Sequence, residues 1–313
     1  MKIIFFGSSN FGAPLLDILH KKEDVVLVVT QPDRKSGRGL KTSFTPIKAL
    51  AQKLDIKIYQ PENINSAESI EYLSGFGADI FVVVSFGQIL SKDILAIPRL
   101  YSLNLHASLL PKYRGAAPIN WAILNGDKIT GLSVIRMDER MDEGDIALQE
   151  KIEIYDEDDA VTLSDKLSQH GAILMVEAIR LIREGNIVFK RQDPAAASYA
   201  PRLKKEDGLI DWNLKGEDIL RRIRAFVPWP GCFTYFNGRM LKIWKARPGP
   251  DFLNRDGREA PGTVLEVDRG IFVSTGKGVI EIEELQIEGK RRMKSYEFII
   301  GHTRDLRKGL ILG

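Results

Sequence analysis

Three short runs of this chain contain no polar residue at all: residues 3–6 (Ile-Ile-Phe-Phe), 25–29 (Val-Val-Leu-Val-Val) and 80–84 (Ile-Phe-Val-Val-Val). A strand with one wet face alternates apolar and polar residues. A strand that is apolar throughout has to be covered on both faces, which a parallel sheet flanked by helices provides. The segments near 12–20, 45–54 and 66–74 can form those helices. The order is therefore a βαβ series, and the first half of the chain is expected to form an α/β, doubly wound, mostly parallel sheet. Gly7-Ser8-Ser9-Asn10-Phe11-Gly12 follows the first run. It lacks the G-x-G-x-x-G spacing of a dinucleotide site and reads as a tight turn opening a helix.

Residues 130–137 and 146–154 read as two more strands, joined by the acidic loop Met141-Asp142-Glu143-Gly144-Asp145. A long helix follows. Thr162-x-x-Asp165 resembles a capping box at its start, Leu163, Leu167, Leu174, Ala178 and Leu181 keep helical spacing, and Gly185 is the natural stop. Residues 190–205, with Pro194-Ala195-Ala196-Ala197 and Pro201, have the composition of an ordered linker. Beyond it comes a helical stretch near 216–226, then β-like segments at 264–267, 271–274 and 279–287. Phe236-Asn237-Gly238-Arg239 is a hairpin signal, because Asn-Gly suits a type I′ turn. Short strands between glycine turns suggest a small barrel. A chain of 313 residues is long for one core, and the expected division is a domain over 1–189, a linker over 190–205 and a second domain over 206–313.

Composition excludes several classes. With 44% hydrophobic and 28% charged residues the chain is an ordinary globular protein. No apolar run approaches a membrane span, and the first residues are too short for a secretory leader. A single cysteine, Cys232, permits neither an intrachain disulfide nor a Cys-based metal cage, and fits a reducing, cytoplasmic setting. Four scattered histidines add no ligand cluster, so no metal is expected. His170 lies on or beside the apolar stripe of the long helix and is read as packed or interfacial, not catalytic; His20 and His302 are read the same way. The net charge is only +3, but from Lys205 onward 20 Lys and Arg face 16 Asp and Glu. That modest basic excess is what a second domain meeting a polyanion would carry.

The chemistry is concentrated in residues 104–118, Asn-Leu-His-Ala-Ser-Leu-Leu-Pro-Lys-Tyr-Arg-Gly-Ala-Ala-Pro. Tyr101-Ser102-Leu103 begins a strand, and alternate side chains share a face. Asn104 and His106 then point one way, Leu103 and Leu105 the other. An amide and an imidazole together at a strand end, entering a loop stiffened by two prolines, suit a catalytic site of an open α/β sheet. The acidic loop can supply a carboxylate as Asp142, Glu143 or Asp145, and the spacing alone does not choose among them.

Asn-x-His-x-Ser-Leu-Leu-Pro-x-x-Arg-Gly-x-x-Pro, followed by Asp-x-Gly-Asp, resembles the signature of the 10-formyltetrahydrofolate-dependent formyltransferases. The likeness extends from residues 3–7 through Gln31-Pro32-Asp33-Arg34 and Gly37-Arg38-Gly39 to Ala225-Phe226-Val227-Pro228-Trp229-Pro230 and Ile243-Trp244-Lys245-Ala246. The last three segments resemble the branch that formylates initiator methionyl-tRNA. Two departures are visible: Ala107 stands where Pro or Gly is commoner, and Arg140-Met141-Asp142-Glu143 replaces a more usual Gly-Leu-Asp-Thr.

The resemblance implies a formyltransferase fold, Rossmann-like, with an OB-like barrel as second domain, and 10-formyltetrahydrofolate as co-substrate. It selects Asp142 among the acids and so implies the set Asn104, His106 and Asp142. Attack of an amine on a formyl carbon builds a negative oxygen, for which preorganised donors are needed, and moves protons that a carboxylate and an imidazole can handle. The turn Phe86, Gly87, Ile89, Leu90 is apolar enough to wall a pterin slot, and Ser108, Leu109, Leu110 and Pro111 are implied to line its other side. The basic loop 31–45, with Arg34, Lys35, Arg38 and Lys41, is long for a βα connection and could follow phosphates; the resemblance makes Arg38 the key cation toward tRNA. Arg291 and Arg292 are further candidates. The chain is expected to act as a monomer. The nearest alternative keeps the donor and changes the acceptor to a UDP-amino-sugar. A nicotinamide oxidoreductase, suggested by the βαβ start and Asp33, lacks its glycine fingerprint, and a plain RNA-binding barrel would leave residues 104–118 without a purpose.

Overall fold

The structure is a computed structural model that describes residues 1–36, 41–250, 253 and 259–313, the side chains of residues 35, 36, 41 and 42 excepted. It divides into two compact units. One comprises Met1–Pro118, Ile129–Glu153 and Leu163–Pro201; the other comprises Ile119–Lys128, Ile154–Thr162 and Arg202–Gly313.

The apolar runs become β1 (Lys2–Gly7), β2 (Asp24–Val29) and, after the short hairpin β3 (Arg34–Ser36) and β4 (Lys41–Ser43) and the two-residue β5 (Ile58–Tyr59), β6 (Ile80–Val84). With β7 (Tyr101–His106), β8 (Ile129–Arg136) and β9 (Ile146–Glu153) they make a seven-stranded sheet in the order β5-β2-β1-β6-β7-β8-β9. The first five strands pair in parallel, and β8 and β9 are antiparallel additions. β1 from Ile3 onward and β6 throughout are buried, as apolar runs covered on both faces must be. Helices α1 (Ala13–Lys22), α2 (Pro46–Lys53) and α3 (Ala67–Ser74) occupy the expected stretches. Thr45 and Ser66 cap α2 and α3 by accepting from Lys48 and Ser69 amides. α4 (Lys92–Leu95) and α5 (Pro118–Leu124) span too few turns to show a period in sequence.

The long helix α6 (Ala160–Arg183) starts before Thr162, because Asp159 Oδ1 accepts from the amides of Val161 and Thr162 at 2.8 and 2.9 Å. Leu163, Leu167, Leu174 and Ala178 are buried as expected, but Ile182 takes the place of Leu181, which is half-buried. Of the two readings of His170, packing in the core is excluded: it is exposed and paired with Glu150 at 2.7 Å, because it stands one position outside the buried stripe. His20 is exposed as well. His302 is packed, its ring stacked 4.0 Å from that of Phe298.

In the second unit α7 (Gly216–Ala225) precedes an antiparallel sheet of β10 (Cys232–Phe236), β11 (Arg239–Pro248), β12 (Val264–Glu266), β13 (Ile271–Ser274), β14 (Val279–Ile287) and β15 (Met293–Lys294), followed by α8 (Ser295–Gly301). The order is β10-β11-β14-β13-β12, with β15 on β14. Asn237 and Gly238, both at positive φ (49° and 72°), turn β10 into β11. Irregular register beside Lys245 bends β11, and the sheet curls. Its edges are drawn together by residues 309–313: Val264 N–H donates to Leu310 O at 2.7 Å on the β12 side, and Gly313 N–H to Tyr235 O at 3.1 Å on the β10 side. The result is an OB-like barrel filled by Leu241, Ile243, Ile280, Ile282, Leu285 and Phe298. No described helix is long and apolar enough to cross a membrane.

Candidate active site

The strand order reverses between β1 and β6, and ligands of such sheets bind beyond the carboxyl ends of the strands at that point. β7, next to β6, ends there in Asn104-Leu105-His106. Leu103 and Leu105 point into the core, where Leu105 packs against Gly171 of α6. Asn104 and His106 share the opposite face. The amide nitrogen of Asn104 donates to Val83 O at 3.2 Å. Its Oδ1 is buried with no partner, so one acceptor and the second N–H of the amide remain uncommitted.

The His106 ring, 6% exposed, bonds through Nε2 to the carbonyl of Tyr113 at 2.9 Å. A carbonyl only accepts, so Nε2 carries its proton there. Nδ1 then faces Asp142 Oδ1 at 3.5 Å, longer than the usual hydrogen bond of about 2.7–3.2 Å. Reaching this position takes an unusual path. β8 lies antiparallel to β7 with Ser133 opposite His106 and Arg136 opposite Leu103. The loop after β8 therefore starts about 10 Å past the level of His106 and has to return. It does so with Asp142 in the left-handed region, φ 55°, a conformation that costs an L-residue on the order of 1–2 kcal/mol. At Gly144 the backbone runs so close to Arg136 that a Cβ would lie 1.9 Å from its carbonyl oxygen.

The three acids of the loop separate by their surroundings. Glu143 pairs with Arg114 at 3.1 Å and with Arg140 at 2.9 Å. Asp145 pairs with Arg136 at 2.5 Å. Asp142 faces the imidazole, and its Oδ2 accepts from the Gly115 N–H at 2.8 Å. Gly115 can bring its amide there because it has no side chain: φ is 118°, and a Cβ would meet Ala200 O at 2.8 Å.

The neighbouring turn is held by a residue that sequence reading passed over. Ser133 Oγ donates to Ser108 O at 2.7 Å and accepts from Leu110 N and Gln149 Nε2 at 3.0 and 2.9 Å. Ser108 and Leu110 are buried, Leu109 and Pro111 half-buried. Of the nominated turn after β6, Phe86 and Leu90 belong to the core, whereas Gly87 and Ile89 are exposed. That turn can therefore offer a ligand its backbone and Ile89, with Phe86 and Leu90 as anchors. Phe86 O accepts from Ser8 Oγ at 3.0 Å and from Gln31 Nε2 at 3.2 Å, so the base of the 31–45 loop is stitched to it. Two further side chains that the sequence did not single out, Arg114 and Gln192, are buried beside the acidic loop.

The basic candidates are less uniform. Arg34 is exposed on β3; Arg38 and the side chains of Lys35 and Lys41 lie outside the described residues. Asp33 is held by Lys48 at 2.5 Å and Gln60 at 2.9 Å, and these bonds keep its carboxyl below the usual carboxylate range. Arg291 pairs with Glu297 at 2.6 Å, and Arg292 with Glu284 at 2.6 Å while lying 5.2 Å from the Trp244 ring. Among the described residues no group of His, Cys, Asp and Glu could hold a metal ion.

Residues 1–179 match the family model described as formyl transferase, and residues 202–303 match that of the formyl transferase C-terminal domain. HypX from Aquifex aeolicus, solved in complex with tetrahydrofolic acid, superposes with a TM-score of 0.65 at 15% identity over 98% of this chain, which spans 48% of HypX. The N-formyltransferase of Helicobacter canadensis, solved with folinic acid and dTDP-3-aminofucose, gives 0.64 at 22% identity over 90% of this chain and 98% of its own. These two share the fold. A methionyl-tRNA formyltransferase of Caldanaerobacter subterraneus subsp. tengcongensis is 44% identical over 314 residues, covering 100% of both chains. On that full-length identity the chain belongs to the formyl transferase family, in its methionyl-tRNA formyltransferase branch.

Proposed function

We infer that this chain transfers the formyl group of 10-formyltetrahydrofolate to the free amino group of methionyl-tRNA, initiator tRNA being the acceptor, as a monomer in the cytoplasm. The reading of its chemistry is carried by one observation: His106 and Asp142 face each other at 3.5 Å at the end of β7, beside an Asn104 whose Oδ1 is buried without a partner. The amine attacks the formyl carbon as –NH2 and the carbonyl oxygen becomes negative. The second N–H of Asn104 meets that oxygen, and Oδ1 accepts from the attacking amine. Nδ1 of His106 and the Asp142 carboxylate take the proton lost by the amine and return one to N10 as the C–N10 bond breaks. One formamide and one tetrahydrofolate N–H result, so the protons balance. A preorganised donor of this kind is worth about 3–4 kcal/mol and positioned proton transfer roughly 10²–10⁴-fold.

In this reading residues 1–189 bind the folate and carry the chemistry, 190–205 connect, and 206–313 meet tRNA. The pterin lies between the exposed backbone of 87–89 and the turn Ser108–Pro111. Arg34, Lys35, Arg38 and Lys41 engage the acceptor end, with Arg291 and Arg292 as secondary contacts once released from their carboxylates. The test is transfer of labelled formyl from 10-formyltetrahydrofolate to methionyl-tRNA, with a UDP-amino-sugar as control acceptor. Formylation of the sugar and not of the tRNA would overturn the acceptor while leaving the donor.

A further inference from the structure

Gln192 lies in the segment that leads out of the first unit, far in sequence from the acidic loop and with no motif around it. It is 5% exposed. Its amide uses all of its hydrogen-bonding capacity. Oε1 accepts from Arg114 Nη2 at 2.8 Å and Nε at 3.2 Å. Nε2 donates to Asp142 O and to Gly144 O, both at 2.8 Å. The facing guanidinium dictates which end of the amide is oxygen, so its orientation is not free. Arg114 is fixed in turn: it is 4% exposed, pairs with Glu143 at 3.1 Å, and its backbone exchanges bonds with Ser198 O (2.8 Å) and Ala200 N (2.7 Å).

The same segment holds the partner of the carboxylate. Ser198 Oγ accepts from Tyr113 N at 2.9 Å, and Tyr113 O is the group that orients His106 through Nε2. Residues 192–200 thus grip both sides of the His106–Asp142 pair. Gln192 binds the carbonyl of the left-handed residue Asp142 and that of Gly144, two residues on, and without those bonds two carbonyls, the second of them buried, would be left to pull the loop toward water.

We propose that Gln192 is a positioning residue for the formyl transfer: acting through the backbone of Asp142 and Gly144, it sets the carboxylate against His106, and the chain leading to the second unit is thereby part of the active site. The proposal rests on the assignment of Asp142 made above. The test is Gln192→Glu, nearly isosteric, which keeps the acceptor toward Arg114 and loses both donors to the loop. kcat should fall roughly 10- to 100-fold, as expected when a reacting group is displaced by about 1 Å, while KM for folate and tRNA stays within about 3-fold. In an Asp142→Asn background, read in single turnovers, Gln192→Glu should cost less than about 2-fold more, because a group acting through Asp142 has nothing left to position. Wild-type kcat in Gln192→Glu, or an equal loss in both backgrounds, overturns the proposal while Asp142 stands. Wild-type turnover in Asp142→Asn overturns the assignment of Asp142 and the proposal with it. If Gln192→Glu does not fold, Arg114→Lys reads the same clamp. Lys keeps a charge for Glu143 but cannot give Oε1 two N–H groups, so a loss of roughly 3- to 10-fold in kcat that vanishes with Asp142→Asn supports the proposal. No loss, or one that persists, overturns it.

Discussion

Asp142, Glu143 and Asp145 lie within four residues of one another and differ in what each meets. Glu143 is spent on Arg114 and Arg140, Asp145 on Arg136, and Asp142 faces an imidazole. Asp142→Asn is therefore expected to cut formyl transfer by roughly 10²-fold or more, with folate binding by equilibrium titration little changed. Asp145→Asn, which loosens a partly exposed ion pair, should cost little. The opposite ranking would assign the role to the wrong acid. Glu143→Gln leaves the buried Arg114 without its countercharge and should show mainly as lowered thermal stability. Gly115→Ala makes a sharper test of geometry: its methyl meets Ala200 O and its φ becomes strained, so the amide leaves Asp142 Oδ2. Turnover should drop with the fold retained by circular dichroism. Spacing in the sequence did not make these distinctions, because adjacent residues point in directions set by a left-handed turn; the family resemblance singled out Asp142 but not what Glu143 and Asp145 meet. The shared face of Asn104 and His106 was legible, because strand alternation is local.

In the proposed reading, separate elements engage the acceptor. Arg38 belongs to the 31–45 loop, whose base is tied to the turn at Phe86 through Gln31. Arg38→Ala should lower kcat/KM for methionyl-tRNA by tenfold or more while leaving folate affinity intact; unchanged tRNA kinetics would reduce the loop to solvated surface. On the barrel, Glu284 of β14 holds Arg292 and Lys294. Glu284→Gln should free both cations, tighten tRNA binding at low salt and steepen its salt dependence. The same carboxyl has a second signature. The Lys294 hydrogen bond is the largest influence and, with Arg292, holds it below its ordinary 4.5, although burial pushes the other way. A carboxylate depressed in the folded state contributes stability above its unfolded value and loses it as pH falls through the folded value. The acid limb of unfolding below about pH 4.5 should accordingly be shallower in Glu284→Gln. At this scale the long periodic elements were readable, while the start of α6 was displaced because Asp159, not Thr162, supplies the cap. The pairing of the candidates Arg291 and Arg292 was not readable, since their carboxylate partners come from α8 and β14.

At the scale of the whole molecule, Cys232 is a reporter of the second unit. It is buried in β10, and burial pushes its thiol up to about 12. The native protein should resist thiol reagents at neutral pH, and labelling under increasing denaturant should follow unfolding of the barrel; fast labelling of the native protein would show that β10 opens by itself. What the sequence by itself determined is whatever a short stretch must do alone. Runs without a polar residue need cover on both faces and so specify a parallel sheet. Asn237-Gly238 specifies the hairpin, and alternation puts Asn104 beside His106. Only the tertiary structure decided what Glu143 and Asp145 pair with, that Arg291 and Arg292 are already paired, and that Gln192 closes the loop at Asp142. Each of those depends on groups from distant parts of the chain arriving at hydrogen-bonding distance, and on backbone turns that aim a side chain independently of its place in the sequence.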